Sequence, residues 1–324
     1  MKQINLNTEA KYLKALIYGR PGTGKTSFGV SAPRPLILLS EGHAAPHIRD
    51  AARRLGRPDP IVLTMDTADD YRDVLRALHG SKDKPFVVRS KQEQCVVFQT
   101  DVWPETVVLD SVTDAMQVLI DEIRIQSPQK DGKDGLPVDS ERFWGALTDR
   151  ATGLIRGFRD APMHVLFLAL LDDRMIGEGP EASRWVGPQM PMRKLPGALQ
   201  AAVNVVGVTF RDKTGEKDEK TGERVLEYGI NTSGPNFMEL KPFPPLRAKE
   251  TTDFTDWVRR VHGDAAVAST LPQVAAQDAQ GAEAPGDADA ATKDPTKRQK
   301  RAAAPDATAD TATDSATDSE APAA

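Results

Sequence analysis

Cysteine is nearly missing from this chain: of 324 residues, only Cys95 is one. Without a second thiol, neither an intrachain disulfide nor a thiolate cluster around structural zinc can form, which suits a reducing compartment. Long apolar runs are missing too. The longest, Val165 to Leu171, is far short of the roughly 18 to 20 residues that cross a bilayer, so no membrane span is expected. The opening MKQINLNTEAKYLK holds no apolar h-region, so secretion by a signal peptide is not expected and a cytoplasmic location is. The five histidines show no metal-ligand spacing.

A strong excess of charge of one sign is also absent, with 42 Lys plus Arg against 47 Asp plus Glu and a net charge of -5. Even that excess is local. Residues 264–324 carry 11 acids and 5 bases, a net of -6, which leaves +1 on residues 1–263. The bulk acidity therefore says little against a nucleic-acid partner for the first 263 residues. The same boundary marks a change in composition. From Asp264 on, the chain is mostly Ala, Asp, Thr, Pro, Gln and Ser, without Phe, Tyr or Trp. Such a segment cannot bury enough apolar surface to offset its ordering entropy. The expected organisation is one domain over 1–263 and a disordered acidic tail over 264–324, with one basic island at Lys293, Lys297, Arg298, Lys300 and Arg301. The island reads as a solvated charge cluster or as an electrostatic contact for nucleic acid or an acidic partner.

What the first 263 residues do contain is an alternation of short apolar runs with amphipathic stretches, the pattern of a mainly parallel sheet flanked by helices. Strands are expected at Ala15–Tyr18, Leu36–Leu39, Ile61–Thr64, Thr106–Leu109 and Val165–Leu170. Helices are expected at Lys25–Val30, Ala44–Leu55, Ala68–Leu78, Thr113–Ile125 and Glu141–Arg159. Val203–Arg211 and Arg224–Ile230, around the polar DKTGEKDEKTGE, predict an antiparallel hairpin on the sheet edge.

Gly19 to Thr26 reads GRPGTGKT, a full match to G-x-x-x-x-G-K-[ST], preceded by the apolar ALIY and followed by the helical SFGV. Average residue frequencies give such a match by accident in about 1% of chains this long. The loop predicts nucleotide binding through Gly19, Pro21, Gly22, Thr23, Gly24, Lys25, Thr26 and Ser27. Glycines let the backbone wrap a phosphate with N–H groups pointing inward, Lys25 reaches the β- and γ-phosphates, and the Thr26 hydroxyl is a magnesium ligand. The expected cofactors are ATP and Mg²⁺. A P-loop also needs an acid near its metal at the end of a neighbouring buried strand. TVVLD at Thr106–Asp110 supplies Asp110, while Asp114, one turn on, is expected to face solvent. Glu41, ending LILLSE, is the candidate to orient or deprotonate the attacking water, because ligands of open α/β sheets gather at the carboxyl ends of the strands.

These three elements in this order, a P-loop, a strand ending in Glu and Gly-His, and a strand ending in Asp-Ser, resemble the RecA-type ATPase core. The closest likeness is to the core-only RecA-like proteins of bacteriophages, termed phage ATP-binding or nucleotide-binding proteins, some of them single-strand annealing recombinases. The resemblance covers residues 10 to 262, with the LPG at Leu195–Gly197 as a further element. It implies a RecA-like P-loop NTPase fold with ATP hydrolysis, action on single-stranded DNA in recombination or replication, and a homo-oligomer. One position departs: the family's polar sensor, usually glutamine, ends the strand corresponding to Val165–Leu170, and here LALLDD has none, leaving Asp172 or Asp173 nearby.

Asp172–Leu195, rich in Gly and Pro, reads as a flexible loop. Arg174, Arg184, Trp185, Arg193 and Lys194 are its candidates for tracking and stacking on a single strand, and the resemblance makes this the DNA-facing loop. Trp185 packing on the core is the alternative. Gln126–Ser140 reads as a second loop with balanced charge. The hairpin cations Arg211, Lys213, Lys217, Lys220 and Arg224 are candidates to reach a neighbouring subunit's γ-phosphate, or form a solvated tip. A different class of function stays open: a nucleotide-dependent switch or assembly factor whose protein partner docks on the tail.

Overall fold

A computed structural model describes residues 12–40, 44–126, 141–178, 182–217 and 224–263. Residues 1–11, 41–43 with Glu41, 127–140, 179–181, 218–223 with Lys220, and 264–324 with the basic island lie outside the described residues.

The central strand is β1 (Lys14–Gly19), buried along its whole length. It leads through the glycine turn into the short α1 (Lys25–Val30). Then follow β2 (Pro35–Leu39), α2 (Ala45–Arg54), β3 (Ile61–Thr64) and α3 (Ala68–Leu78), the last opened by a reciprocal Thr67–Asp70 capping box. A small separate hairpin, β4 (Phe86–Arg89) and β5 (Val96–Thr100), precedes β6 (Thr106–Asp110), α4 (Val112–Gln126) and α5 (Glu141–Asp160). The chain continues as β7 (His164–Ile176), β8 (Ser183–Pro188), α6 (Leu195–Ala202), β9 (Val205–Lys217), β10 (Arg224–Asn231), β11 (Lys249–Glu250) and α7 (Phe254–His262).

The main sheet has the order β11-β10-β9-β1-β7-β6-β2-β3, with β8 paired to β7 off this path. Its core, from β3 through β9, is parallel. One strand, β7, is inserted between the P-loop strand β1 and the Asp110 strand β6, which is the arrangement of a RecA-like P-loop NTPase. Period-2 alternation sorts the buried residues onto two faces. Leu16, Tyr18, Leu36, Leu38, Val107, Leu109 and Phe167 pack under α3 to α6, and Ile17, Ile37, Leu39, Val108, Leu166 and Leu168 pack under α1, α2 and α7. Strands buried on both faces must be apolar at every position, which is why they read as continuous runs.

Two sequence expectations change. Asp172–Leu195 is no flexible loop among its described residues: β7 runs on to Ile176 and pairs antiparallel with β8, Asp173 opposite Val186 and Arg174 opposite Trp185. Arg193 and Lys194 then lead into α6, whose Pro196 sits in its first turn. The edge hairpin extends well past Arg211, to Lys217, and β11 pairs its outer strand. No helix of the described residues is long and apolar enough to cross a membrane.

His164 sits where β7 enters the sheet, 7% exposed. Its Nδ1 accepts the Leu13 N–H at 2.9 Å. Burial, reinforced by the nearby charges of His262, Lys14 and Lys82, pushes it down to about 3. The unfolded chain takes up this proton near pH 6.5, whereas the folded chain does not until about pH 3. Stability therefore falls as pH drops through that window, by at most about 1.4 kcal/mol per pH unit from this group. Denaturant titrations of wild type and His164→Asn at pH 7.5 and 5.5 check this: wild type is expected to lose about 1.4 kcal/mol more than the variant between the two pH values.

Candidate functional site

The carboxyl ends of four parallel strands meet along one edge: Gly19 of β1 lies opposite Leu170 of β7, Asp110 of β6 opposite Leu168 of β7, and Leu39 of β2 opposite Asp110. The GRPGTGKT turn rises from this edge. Gly22 and Gly24 hold φ of 73° and 90°, the left-handed region that a side chain disfavours. Lys25 is nearly buried, and its Nζ donates to the carbonyls of Gly19 at 2.9 Å and Arg20 at 3.0 Å. Burial lowers its pKa, with the charge of Asp110 opposing. The Thr26 hydroxyl donates to Asp110 Oδ2 at 2.7 Å. These two oxygens, 84 residues apart in sequence, are thus brought together by the β1–β7–β6 order. A hydroxyl beside a carboxylate is the hard-oxygen donor set that magnesium prefers.

Pro21 is exposed at the outside of the turn, Ser27 sits half-buried in the first turn of α1, and Thr23 is buried. The Thr23 hydroxyl lies 2.7 Å from Arg20 O and 2.6 Å from the Thr209 hydroxyl of β9, which in turn reaches Tyr18 O at 3.5 Å. The same Thr209 side chain crowds Gly19 so closely that a Cβ there would lie 1.8 Å from its Oγ1. Glycine at position 19 is a packing requirement as well as part of the phosphate turn.

Glu41 lies outside the described residues. Its neighbour Ser40 donates its N–H to Asp110 O at 3.3 Å, and its hydroxyl is 2.8 Å from the Tyr71 hydroxyl. Asp114 does not face solvent freely, contrary to the sequence expectation. It is half-buried, its carboxylate accepts the Ser111 hydroxyl, and its own backbone N–H donates to Ser111 Oγ at 3.3 Å, closing the first turn of α4.

Asp172 and Asp173 face cations of the β7–β8 hairpin. Asp172 pairs with Arg174 at 3.3 Å, and Asp173 with Arg184 at 2.7 Å and with Arg20 of the P-loop at 3.9 Å. The Arg184 hydrogen bonds hold the Asp173 carboxyl below the usual carboxylate range. The Arg174 guanidinium stacks 4.6 Å from the Trp185 ring, and the indole N–H donates to Glu239 at 2.9 Å. Arg193 and Lys194 are exposed. Just past β8, Gln189 donates its backbone N–H to Leu170 O, midway along β7, at 2.7 Å.

Sequence reasoning missed the wall of the site. A cleft of about 440 Å³ beside the loop is lined by Lys25, Thr26, Ala51, Leu55 and Tyr228, among others. Ala51 of α2 and Leu55 at its C-cap lie one turn apart and give the cleft an apolar side. Tyr228, from β10, is 41% exposed against Gly24. The one available signal was the strand alternation that puts Tyr228 on the same hairpin face as Arg211.

Two solved structures align with parts of this chain: the flagellar accessory protein FlaH from Methanocaldococcus jannaschii (7% identity, TM-score 0.31, 68% of this chain and 76% of that one) and a prototypical ATPase from the type III secretion system of pathogenic bacteria (13% identity, TM-score 0.31, 60% and 51%). No curated protein matches the sequence. A family model described as "AAA domain" matches residues 11–234, from the segment leading into β1 to just beyond β10. With its P-loop, its Asp110 strand and its inserted β7, the chain belongs to the AAA domain family of P-loop ATPases.

Proposed function

We propose that the protein binds and hydrolyses ATP with Mg²⁺ and uses the cycle to act on single-stranded DNA, in phage recombination or replication of the annealing or strand-pairing kind. The observation that carries the ATP half is the Thr26–Asp110 contact at the mouth of the P-loop. These two residues would hold the ion, which when bound would supply positive charge to the phosphate oxygens. Lys25 and the loop N–H groups hold the phosphates, the cleft between α2 and Tyr228 receives sugar and base, and Glu41, which follows β2 in the sequence, is the residue assigned to orient water. Arg174, Arg184, Trp185, Arg193 and Lys194 lie on or just beyond the β7–β8 hairpin, reachable by a strand passing the loop. Homo-oligomer formation belongs to the same reading.

Phosphate release from ATP, with and without Mg²⁺ and in Glu41→Gln, tests the first half: metal-dependent turnover, slowed in the variant, is expected. A chain that neither binds nor hydrolyses ATP ends the reading. Fluorescence anisotropy with a labelled single strand tests the second. Affinity should fall steeply with salt and weaken in Arg184→Ala and Trp185→Ala, and no binding with nucleotide present would sink this half alone.

The pairing of Arg174 and Arg184 with Asp172 and Asp173 favours a second reading, because it neutralises the hairpin's charge. In that reading the chain is a nucleotide-dependent switch or assembly factor whose protein partner docks on residues 264–324. Deleting the tail separates the two: loss of a protein partner with DNA binding intact leaves the DNA reading standing.

A further inference from the structure

Arg211 and Tyr228 face each other across the β9–β10 ladder, and both lie against the phosphate loop of their own chain. A Cβ built on Gly22 would lie 3.8 Å from Arg211 Nη1, and one built on Gly24 would lie 3.6 Å from Tyr228 Cδ1. Strand register fixes this placement. β9 runs parallel to β1, with Tyr18 opposite Val208, so its next residue, Thr209, meets the base of the loop. Side chains two apart share a face, and Arg211 therefore follows Thr209 onto the loop. Asp212 turns to the opposite face, the one where Lys249 lies over the Phe210 ring and pairs with Glu227.

The loop-side face of the hairpin consists of Thr209, Arg211 and Lys213 on β9 and Leu226, Tyr228 and Ile230 on β10, with no acid among them. Arg211 is exposed and makes no ion pair among the described residues. Electrostatically this is an unfavourable place for a cation. The inward N–H groups of the turn and the Lys25 ammonium already make the loop positive, so a guanidinium beside Gly22 adds repulsion until an anion lies between them. With a phosphate present the sign reverses, and the planar fork suits its oxygens.

We propose that Arg211 is a phosphate-binding residue of its own chain's nucleotide site, a cation supplied in cis by the edge hairpin. This rests on the ATP-binding reading above, and it differs from the sequence expectation that the hairpin cations serve a neighbouring subunit.

Binding of a fluorescent ATP analogue with Mg²⁺ to the full-length chain tests it. Arg211→Ala is expected to weaken Kd about ten- to a hundredfold, with an unchanged unfolding temperature in the absence of nucleotide. Arg211→Lys is expected to recover part of the loss, since it keeps the charge without the fork. Mixing Arg211→Ala with Lys25→Ala in equal amounts is expected to restore no hydrolysis, because neither chain then holds both groups. Undiminished affinity in Arg211→Ala overturns the proposal, and so does activity regained on mixing, which would assign the cation to a neighbouring chain. If wild type itself fails to bind ATP, the ATP reading fails together with this one. Wild-type binding with Arg211→Ala unaffected removes this inference alone.

Discussion

Lys25→Ala is expected to reduce ATP hydrolysis about 10²- to 10³-fold, the cost of removing a preorganised charge aimed at a developing anion. Its Nζ is already placed by the Gly19 and Arg20 carbonyls, and the surrounding structure desolvates it. A cation held in place and stripped of water interacts with a phosphate far more strongly than a solvated lysine does. The same desolvation makes the ammonium costly to keep without an anion, so its removal should change the stability of the nucleotide-free chain by no more than about 1 kcal/mol. The variant should then gain no thermal stabilisation from added ATP, whereas wild type gains according to mass action. Phosphate release and thermal unfolding with and without nucleotide measure both effects. Near wild-type turnover in Lys25→Ala would remove the P-loop from the chemistry.

The parallel centre of the fold was legible because strands buried on both faces must be apolar at each position, and β1, β2, β6 and the first half of β7 are such runs. The phosphate loop was legible because its glycines and Lys25 are adjacent in sequence. The second half of β7 and β8 were not, since they read DDRMI and SRWVGP, with Gly and Pro around them. What makes them strands is mutual pairing and the cross-strand Asp173–Arg184 and Arg174–Trp185 contacts, which exist only once both segments are in place. The site divides in the same way. Asp110 could be sought because a P-loop creates a demand for an acid at a strand end. Tyr228, Thr209 and Arg211 reach the loop through the parallel pairing of β9 with β1, a long-range contact that no local pattern encodes.

Trp257→Ala is expected to destabilise the protein by about 3–5 kcal/mol, although the residue lies beyond the segment matched by the family model. The ring is fully buried, packs edge-on to Phe28 of α1 at 4.9 Å, and donates its indole N–H to Thr251 O at 3.1 Å. Its helix is tied to the end of the P-loop helix by two further bonds, Phe254 N–H to Ser31 Oγ at 2.8 Å and the Thr255 hydroxyl to Ser31 O at 2.5 Å. Truncation therefore leaves a cavity between α1 and α7 that these bonds keep from collapsing, which places the cost in the upper part of the range for large-to-small changes. Denaturant unfolding measures it, and a loss under about 1.5 kcal/mol would mean that α7 is peripheral to the core. Stability and function should separate in this variant. The loop itself is fixed from the other side, by Thr209 on Thr23 and by Thr26 on Asp110, and none of those contacts involves α7. The stabilisation gained from saturating ATP should accordingly match that of wild type to within about 0.5 kcal/mol, the limit within which independent sites add. A clearly smaller gain would show instead that α7 sets the geometry of the phosphate loop through Phe28.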